Sequence, residues 1–376
     1  MIYKNFKDKK LSSLGMGCMR FPVIDDDFRK IDTEKTAQMV DYAIKSGVNY
    51  FDTAWGYHDG NSEIVLGDIL SKYPRESFYL ANKFPGYDVS NMDKVVEIFE
   101  EQLKKCKVEY FDFYLFHNLC EKNINEYLDP KFGILEYLLK QKENGRIRHL
   151  GFSAHGTIPT MRRFLDAYGE HMEFCQIQAN WLDWDMQNAK GKVELLKEYN
   201  IPVWIMEPVR GGKLANLDEE YVEKLKSLRP DATPAEWAFR FLQSVPEATV
   251  TLSGMTNMEQ LKENIAIYEE EKPTNAMERE ALFDIARAMT SKTTLPCTDC
   301  KYCTSHCPVG IDIPDVIRLY NDHIYSGGGF LAPMGISAMD EDKRPSACLG
   351  CRACEEVCPQ NIKISEMMTD FVEKLK

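Results

Sequence analysis

No stretch of this 376-residue chain is apolar for long enough to cross a membrane, which takes about 18 residues as a helix. Positive charge is in short supply. Lys and Arg number 46 against 59 Asp and Glu, a formal net charge of −13. No basic stretch exists to neutralise phosphates, which argues against nucleic-acid binding and against adsorption to an anionic membrane. The opening MIYKNFKDKKL lacks the apolar core of a signal peptide, so the expectation is a cytoplasmic protein. A glycine-rich dinucleotide fingerprint is missing as well: the glycines of LGMGCM, at 14–19, do not have the G-x-G-x-x-G spacing.

Cysteine, by contrast, is plentiful. Of 12 Cys, four are scattered (Cys18, Cys106, Cys120 and Cys175) and eight fall in two matching runs. CTDCKYCTSHCPVG begins at Cys297 and CLGCRACEEVCPQN at Cys348. Both place Cys at the same x2, x2, x3 offsets with Pro after the last. A 4Fe-4S cube needs four thiolates around it. Three close cysteines reach three irons, and the fourth, before Pro, comes from the other run in two-cluster ferredoxins. That pattern predicts one cluster on Cys297, Cys300, Cys303 and Cys358, and a second on Cys348, Cys351, Cys354 and Cys307. Two structural zinc sites are the competing reading, but zinc uses paired C-x2-C half-sites.

Ahead of these runs, strand-like and helix-like segments alternate. Apolar strand candidates lie at 14–18, 48–53, 78–83, 111–117, 147–153, 174–179, 202–206 and 248–253. Amphipathic stretches between them cover 33–46, 62–73, 91–105, 132–143, 157–168, 188–199, a long 217–245, and 257–270. Eight βα units in about 250 residues predict a (β/α)8 barrel, α/β in class, over residues 1–270. Residues 271–296 read as a connector, helical through NAMEREALFDIARAM and a polar hinge at TSKTTLP. Residues 297–376 read as a mostly α-helical ferredoxin-like module. Pro314 opens one helix, with Val316, Ile317, Tyr320 and Ile324 on one face. Ser365 is the expected N-cap of another, with Met368, Phe371, Val372 and Leu375 on one face. YSGGGF, at 325–330, reads as a loop. The segments 118–131 and 325–345 are the expected substrate loops.

At the ends of the second, third and fourth strand candidates stand YFDTAWGY, LANKF and YLFHN. They place Asp52, Tyr57, Lys83 and His117 at the C-terminal mouth of a barrel, where catalytic groups belong. Reducing a carbonyl takes hydride at carbon and a proton at oxygen. A Tyr phenol is a weak acid at neutral pH. A Lys ammonium beside it is expected to lower its pKa, with Asp holding the Lys, and a His to orient the substrate oxygen. Trp55, between Asp52 and Tyr57, is placed to line a substrate pocket.

These residues resemble the aldo-keto reductase family, in its subgroup with a C-terminal two-cluster ferredoxin-type domain, over essentially the whole chain. The resemblance implies a catalytic tetrad of Asp52, Tyr57, Lys83 and His117, Tyr57 being the general acid, and NAD(P)H as hydride donor. It also implies cofactor contacts from Gly17, Cys18 and Met19 at the end of the first strand. GFSAHG is similar to a nicotinamide-amide segment, keeping Ser153 but holding Ala154 where Asn is usual. CQIQANW supplies Gln176 for the same amide. In VWIMEPVRGG, Met206 stands where an aromatic stacks on the nicotinamide. SGMTNMEQLKEN resembles the adenosine-binding segment, with Glu263 and Asn264 at its end. Gly254 and Gln260 replace the basic residues that grip the 2′-phosphate of NADP, leaving Arg210 or Lys262 to serve a phosphate.

Hydride moves two electrons and a cluster takes one, so three readings follow. The first is an NAD(P)H-dependent reductase of a carbonyl or related small substrate, with clusters that are accessory or deliver single electrons from a ferredoxin- or flavodoxin-like partner. The second is a flavin- or ferredoxin-driven reductase with substrate in the barrel. The third is a non-enzymatic electron-transfer or redox-sensing subunit. The four matched polar groups count against the third, and the first is the favoured reading.

Overall fold

A computed structural model describes residues 1–291 and 293–376; Lys292, within the hinge read at 290–296, lies outside the described residues. The chain divides into two compact units, Met1–Ala281 and Leu282–Lys376. Their boundary falls inside the helix Ala276–Ser291, within the segment read as a connector.

The first unit begins with an antiparallel hairpin, β1 (Tyr3–Phe6) and β2 (Lys9–Ser12), which sequence patterning missed because each strand is four residues long. Then come β3 (Leu14–Gly17), β4 (Tyr50–Asp52), β5 (Tyr79–Phe84), β6 (Phe111–Leu119), β7 (Ile147–Ala154), β8 (Cys175–Gln178), β9 (Val203–Met206) and β10 (Ala248–Ser253). Each pairs in parallel with its sequence neighbour, and β10 closes on β3 to complete an eight-stranded barrel. All eight predicted strands are barrel strands.

Eight helices cross back between and after them: α1 (Thr33–Lys45), α2 (Asn61–Leu70), α3 (Val95–Cys106), α4 (Ile134–Glu143), α5 (Ile158–Tyr168), α6 (Ala189–Glu198), α7 (Pro234–Gln243) and α8 (Met258–Ile267). Local chemistry sets their starts. The carboxylate of Asp32 accepts from the Lys35 N–H at 3.1 Å, and Asn257 accepts from the Gln260 N–H at 2.9 Å. The long helix expected over 217–245 is two helices, Glu219–Lys226 and α7. Pro230 breaks the first, and Thr233 caps the second with Pro234 in its first turn, so the amphipathic pattern ran across a genuine stop and start.

The barrel interior is filled from below. Phe6 of the hairpin is 5% exposed and packs its ring against Phe113, Phe174, Trp204 and His149 at centroid distances of 5.0–6.5 Å. The opposite, C-terminal end carries Asp52 and Lys83, at the ends of β4 and β5.

The second unit is helical. Ile313–Ser326 carries Pro314 in its first turn, and Val316 and Ile317 pack in one core with Met368 and Phe371 of the helix Ile364–Lys374. Ser365 is not an N-cap: that helix starts one residue earlier, after Lys363. The Ser365 N–H and hydroxyl both donate to Glu355, at 2.9 and 2.6 Å, and so tie the helix to the second cysteine run. The glycine loop starts at Gly327, two residues later than expected, and the segment 325–345 contains a helix, Leu331–Ala338.

Candidate active site and iron–sulfur module

Asp52 ends β4 and Lys83 lies one residue short of the end of β5, so both point into the barrel mouth. The Lys83 ammonium is fully buried. It donates to Asp52 Oδ1 at 2.5 Å, to the Thr53 carbonyl at 2.8 Å and to the Tyr57 hydroxyl at 3.4 Å. His117 sits where β6 slips register against β7, between Phe116 and Leu119. The irregularity turns its ring to lie edge-on to Tyr57 at 6.2 Å and to Tyr87 at 5.1 Å. Asp52, Tyr57, Lys83 and His117 are therefore together.

Burial disfavours the cationic form of Lys83, but Asp52 and Tyr57 outweigh it and hold the ammonium charged. Tyr57 departs from the expectation. Burial raises its pKa and the opposing pull of Lys83 does not overcome this, so the phenol stays protonated above its ordinary range. His117 is driven well below its ordinary value, first by burial and then by Lys83. Its Nδ1 is buried without a hydrogen-bond partner. The site thus holds a fixed cation, a protonated phenol and a neutral imidazole.

Sequence reading missed what stands behind these groups. Glu63 on α2 is fully buried, and its carboxylate accepts from Asn82 at 2.8 Å, Gln102 at 3.0 Å and Lys105 at 3.3 Å. Lys105 also lies 3.8 Å from the Trp55 ring centroid. These contacts pin the loop that carries Tyr57 to α2 and α3. Directly after Tyr57, His58, Asp59 and Gly60 all have left-handed backbone. His58 holds this turn by accepting from the Phe21 N–H at 3.1 Å, while its Nδ1 lies 2.6 Å from the Phe28 carbonyl.

The residues assigned to a nicotinamide stand at the ends of β3 and β7–β9. Ser153 Oγ accepts from the Asn118 N–H at 2.8 Å, which leaves its hydroxyl hydrogen able to donate. Gln176 donates its amide nitrogen to Asp52 Oδ2 at 3.1 Å, which leaves its carbonyl as an acceptor. A carboxamide needs one donor and one acceptor, so this pair fits one. Met206 ends β9, and Gly17 ends β3 opposite Asp52. Met19 is 42% exposed beyond it. Cys18 is fully buried with its thiol pushed far up by that burial, so it packs and does not react. His155 is lowered to about 3, chiefly by burial.

The phosphate-end residues are largely committed within the fold. Arg210 is paired with the buried Asp183. Gln260 accepts from the Thr256 N–H at 2.8 Å, Glu263 from Thr233 at 2.6 Å, and Asn264 donates to Ser253 at 3.0 Å. Lys262 lies over the Tyr42 ring at 5.7 Å. Arg20, which the sequence did not single out, lays its stem across Gly254. Atoms of that stem stand 3.2–3.3 Å from where a Cβ on Gly254 would be, and its Nη2 stands 3.4 Å from the same point on Gly211. A cation from the first loop therefore reaches the seventh and eighth.

In the second unit the two cysteine runs fold alike down to the backbone. Asp299, Lys301 and Gly310 are left-handed, and so are Gly350, Arg352 and Asn361 at the same offsets from Cys348. Such residues turn successive N–H groups into a concavity that suits anionic sulfur. Cys297, Cys300, Cys303 and Cys358 line one cavity of about 310 Å³ including its open side. Cys348, Cys351, Cys354 and Cys307 line another of about 350 Å³. Among the described residues no group of three or more His, Cys, Asp or Glu is drawn together tightly enough to hold a metal ion. The thiols surround a space instead of converging on a point, and a cube of irons and sulfides needs a space. The two cavities fit the two donor sets.

Comparison with known proteins agrees with this geometry. The NADH-specific methylglyoxal reductase of Escherichia coli is 24% identical over 305 residues, covering 69% of this chain and 90% of its own. The uncharacterized oxidoreductase YqkF of Bacillus subtilis is 25% identical over 289 residues, covering 69% and 87%. Among solved structures, an aldo-keto reductase from Bacillus halodurans superposes with a TM-score of 0.61 at 24% identity, over 77% of this chain and 97% of that one, which shows a shared fold. Residues 296–362 match the model of the 4Fe-4S dicluster domain. Residues 13–281 match that of the aldo/keto reductase family, and the chain belongs to that family as an oxidoreductase with an iron–sulfur domain at its C-terminal side.

Proposed function

We propose that the barrel reduces the carbonyl group of a small substrate, with Tyr57 as proton donor and a nicotinamide as hydride donor, and that the iron–sulfur module, read as two 4Fe-4S clusters, exchanges single electrons with a ferredoxin- or flavodoxin-like protein. The observation that carries the first half is the Lys83 ammonium, held by Asp52 at 2.5 Å and presented to the Tyr57 hydroxyl. When bound, the nicotinamide supplies the hydride. Ser153 and Gln176 offer its carboxamide a donor and an acceptor. His117, neutral, donates a hydrogen bond to the substrate oxygen. Tyr57 passes its proton to that oxygen as negative charge builds there, and Lys83 stabilises the phenolate left behind. Substituting Tyr57→Phe should lower kcat by 10²–10⁴-fold, about the worth of one positioned acid, with substrate affinity little changed. Unchanged turnover on every active carbonyl substrate removes Tyr57 from the mechanism.

A second reading, a flavin- or ferredoxin-driven reductase, draws on the phosphate-end residues already committed within the fold. Anaerobic mixing with NADH or NADPH separates the two. Carbonyl reduction without mediator supports the first reading. Reduction that requires a reduced ferredoxin or an added flavin supports the second.

A further inference from the structure

Tyr87 has no part in the chemistry described so far, yet it stands against it. It follows β5 by three residues, and its ring lies edge-on to His117 at 5.1 Å, closer than that of Tyr57 at 6.2 Å. Its hydroxyl stands 2.5 Å from where a Cβ on Gly56 would be, over the residue that precedes Tyr57. Two phenols therefore flank one imidazole. Burial first, then Asp88 and Tyr57, raise the Tyr87 pKa to about 12, so this phenol also keeps its proton. Among the described residues nothing takes that proton, because the Tyr87 hydroxyl makes no hydrogen bond.

Two side chains of the segment read as a substrate loop fix the place of Tyr87. Asn123 donates to the Gly86 carbonyl at 3.1 Å and to the Asn118 carbonyl at 2.9 Å. Tyr127 donates to the His117 carbonyl at 2.8 Å, and its ring and hydroxyl occupy the space that a Cβ on Gly86 would need. The turn carrying Tyr87 and the strand end carrying His117 are thus held as one piece. A surface tyrosine needs no such anchoring, whereas a donor aimed at a bound molecule does.

We propose that Tyr87 holds a second oxygen of the substrate, on the carbon next to the carbonyl, and that the barrel takes small carbonyl compounds with a hydroxyl or a second carbonyl at that carbon. With the reacting oxygen between Tyr57 and His117, the neighbouring carbon of a small substrate is carried past the other phenol on the same imidazole. An oxygen there takes the hydrogen bond. A methyl group in its place leaves the phenol without a partner, which is how such a site discriminates between isosteres. The contact moves no proton, so it acts on binding and not on the rate of the chemical step. This inference rests on the reading of the barrel as a carbonyl reductase.

The test uses the full, cluster-loaded chain with NADH or NADPH and two aldehydes of the same shape, glycolaldehyde and propanal. They differ in having a hydroxyl or a methyl group on the second carbon, and rates are referred to the unhydrated aldehyde. The wild type should have the higher kcat/KM on glycolaldehyde. Tyr87→Phe should lower kcat/KM on glycolaldehyde about tenfold more than on propanal, through KM, the worth of one hydrogen bond. Tyr57→Phe, by contrast, should lower kcat on both. Gly56→Ala, which brings a methyl group to 2.5 Å from the Tyr87 hydroxyl and so displaces it, should erase the same preference with the phenol still present. Equal losses on the two aldehydes in Tyr87→Phe would make Tyr87 a support for His117 only, and overturn the proposal. So does a wild type that reduces other carbonyl compounds without preferring glycolaldehyde to propanal. A wild type that reduces no carbonyl compound with either nucleotide fails the reductase reading itself, and the proposal with it.

Discussion

The buried Asp52–Lys83 pair gives the sharpest quantitative test. Asp52 is 3% exposed and Lys83 fully buried. Asp52→Asn keeps the shape but removes the carboxylate bonded to the ammonium, leaving it the Thr53 carbonyl and the Tyr57 hydroxyl among the described residues. The amide also has a single oxygen to offer. It can accept from Lys83 or from Gln176 but cannot serve both, as the carboxylate does at 2.5 and 3.1 Å. Breaking a buried pair from one side costs about 3–5 kcal/mol, because the remaining charge is uncompensated. For a unit of this size that is a fall in Tm on the order of 10 °C. Removing both charges, as in D52N/K83M, takes away that penalty, so the double variant should be more stable than D52N alone. Urea denaturation of all four proteins closes the cycle. Simple additivity, or a D52N loss below about 1 kcal/mol, would refute the account of Lys83 as a cation held by Asp52.

With Tyr57 and Lys83 titrating above their ordinary values and His117 well below its own, none of the three changes charge between about pH 7 and 9. A pH profile of kcat/KM should therefore be flat there and fall only above about 10; a limb near neutrality would contradict the assigned states. The Gln260 side-chain carbonyl is taken up by the Thr256 N–H, and Gly254 and Gln260 stand where the family resemblance implies basic residues, so steady-state assays should favour NADH over NADPH. Gln260→Arg should raise NADPH use by about tenfold, the worth of one charge-assisted hydrogen bond. Cys307→Ser should halve the iron, from about eight to about four per chain, by emptying the cluster of Cys348, Cys351 and Cys354. Combining it with Cys348→Ser should cost no further iron, whereas combining it with Cys297→Ser should remove nearly all.

Periodicity sufficed for the barrel because each strand is an apolar run followed by an amphipathic helix. The pattern failed where helix chemistry repeats across a break, as at Pro230 and Thr233, and where strands are too short to show a period, as in the β1–β2 hairpin. The four residues read as a tetrad were legible because they sit near or just after strand ends, which the alternation locates. The Glu63, Gln102 and Lys105 network was not, since three polar residues on two amphipathic helices look like solvated faces until α2 and α3 are packed together. Arg20 escaped for a similar reason: its neighbours, Gly211 and Gly254, are distant in sequence and offer no side chain of their own. The sign of the shift at Tyr57 was misjudged because a sequence gives the neighbour that lowers a pKa but not the depth of burial that raises it.

The aromatic plug that Phe6 drives into the foot of the barrel has a kinetic meaning. With Phe113, Phe174 and Trp204 closing around it, the barrel is a vessel with a floor. On the proposed function, the donor and acceptor of hydride would both enter from the C-terminal mouth. Whichever seats deeper would then bind first and leave last, a sequence set by architecture and not by affinity.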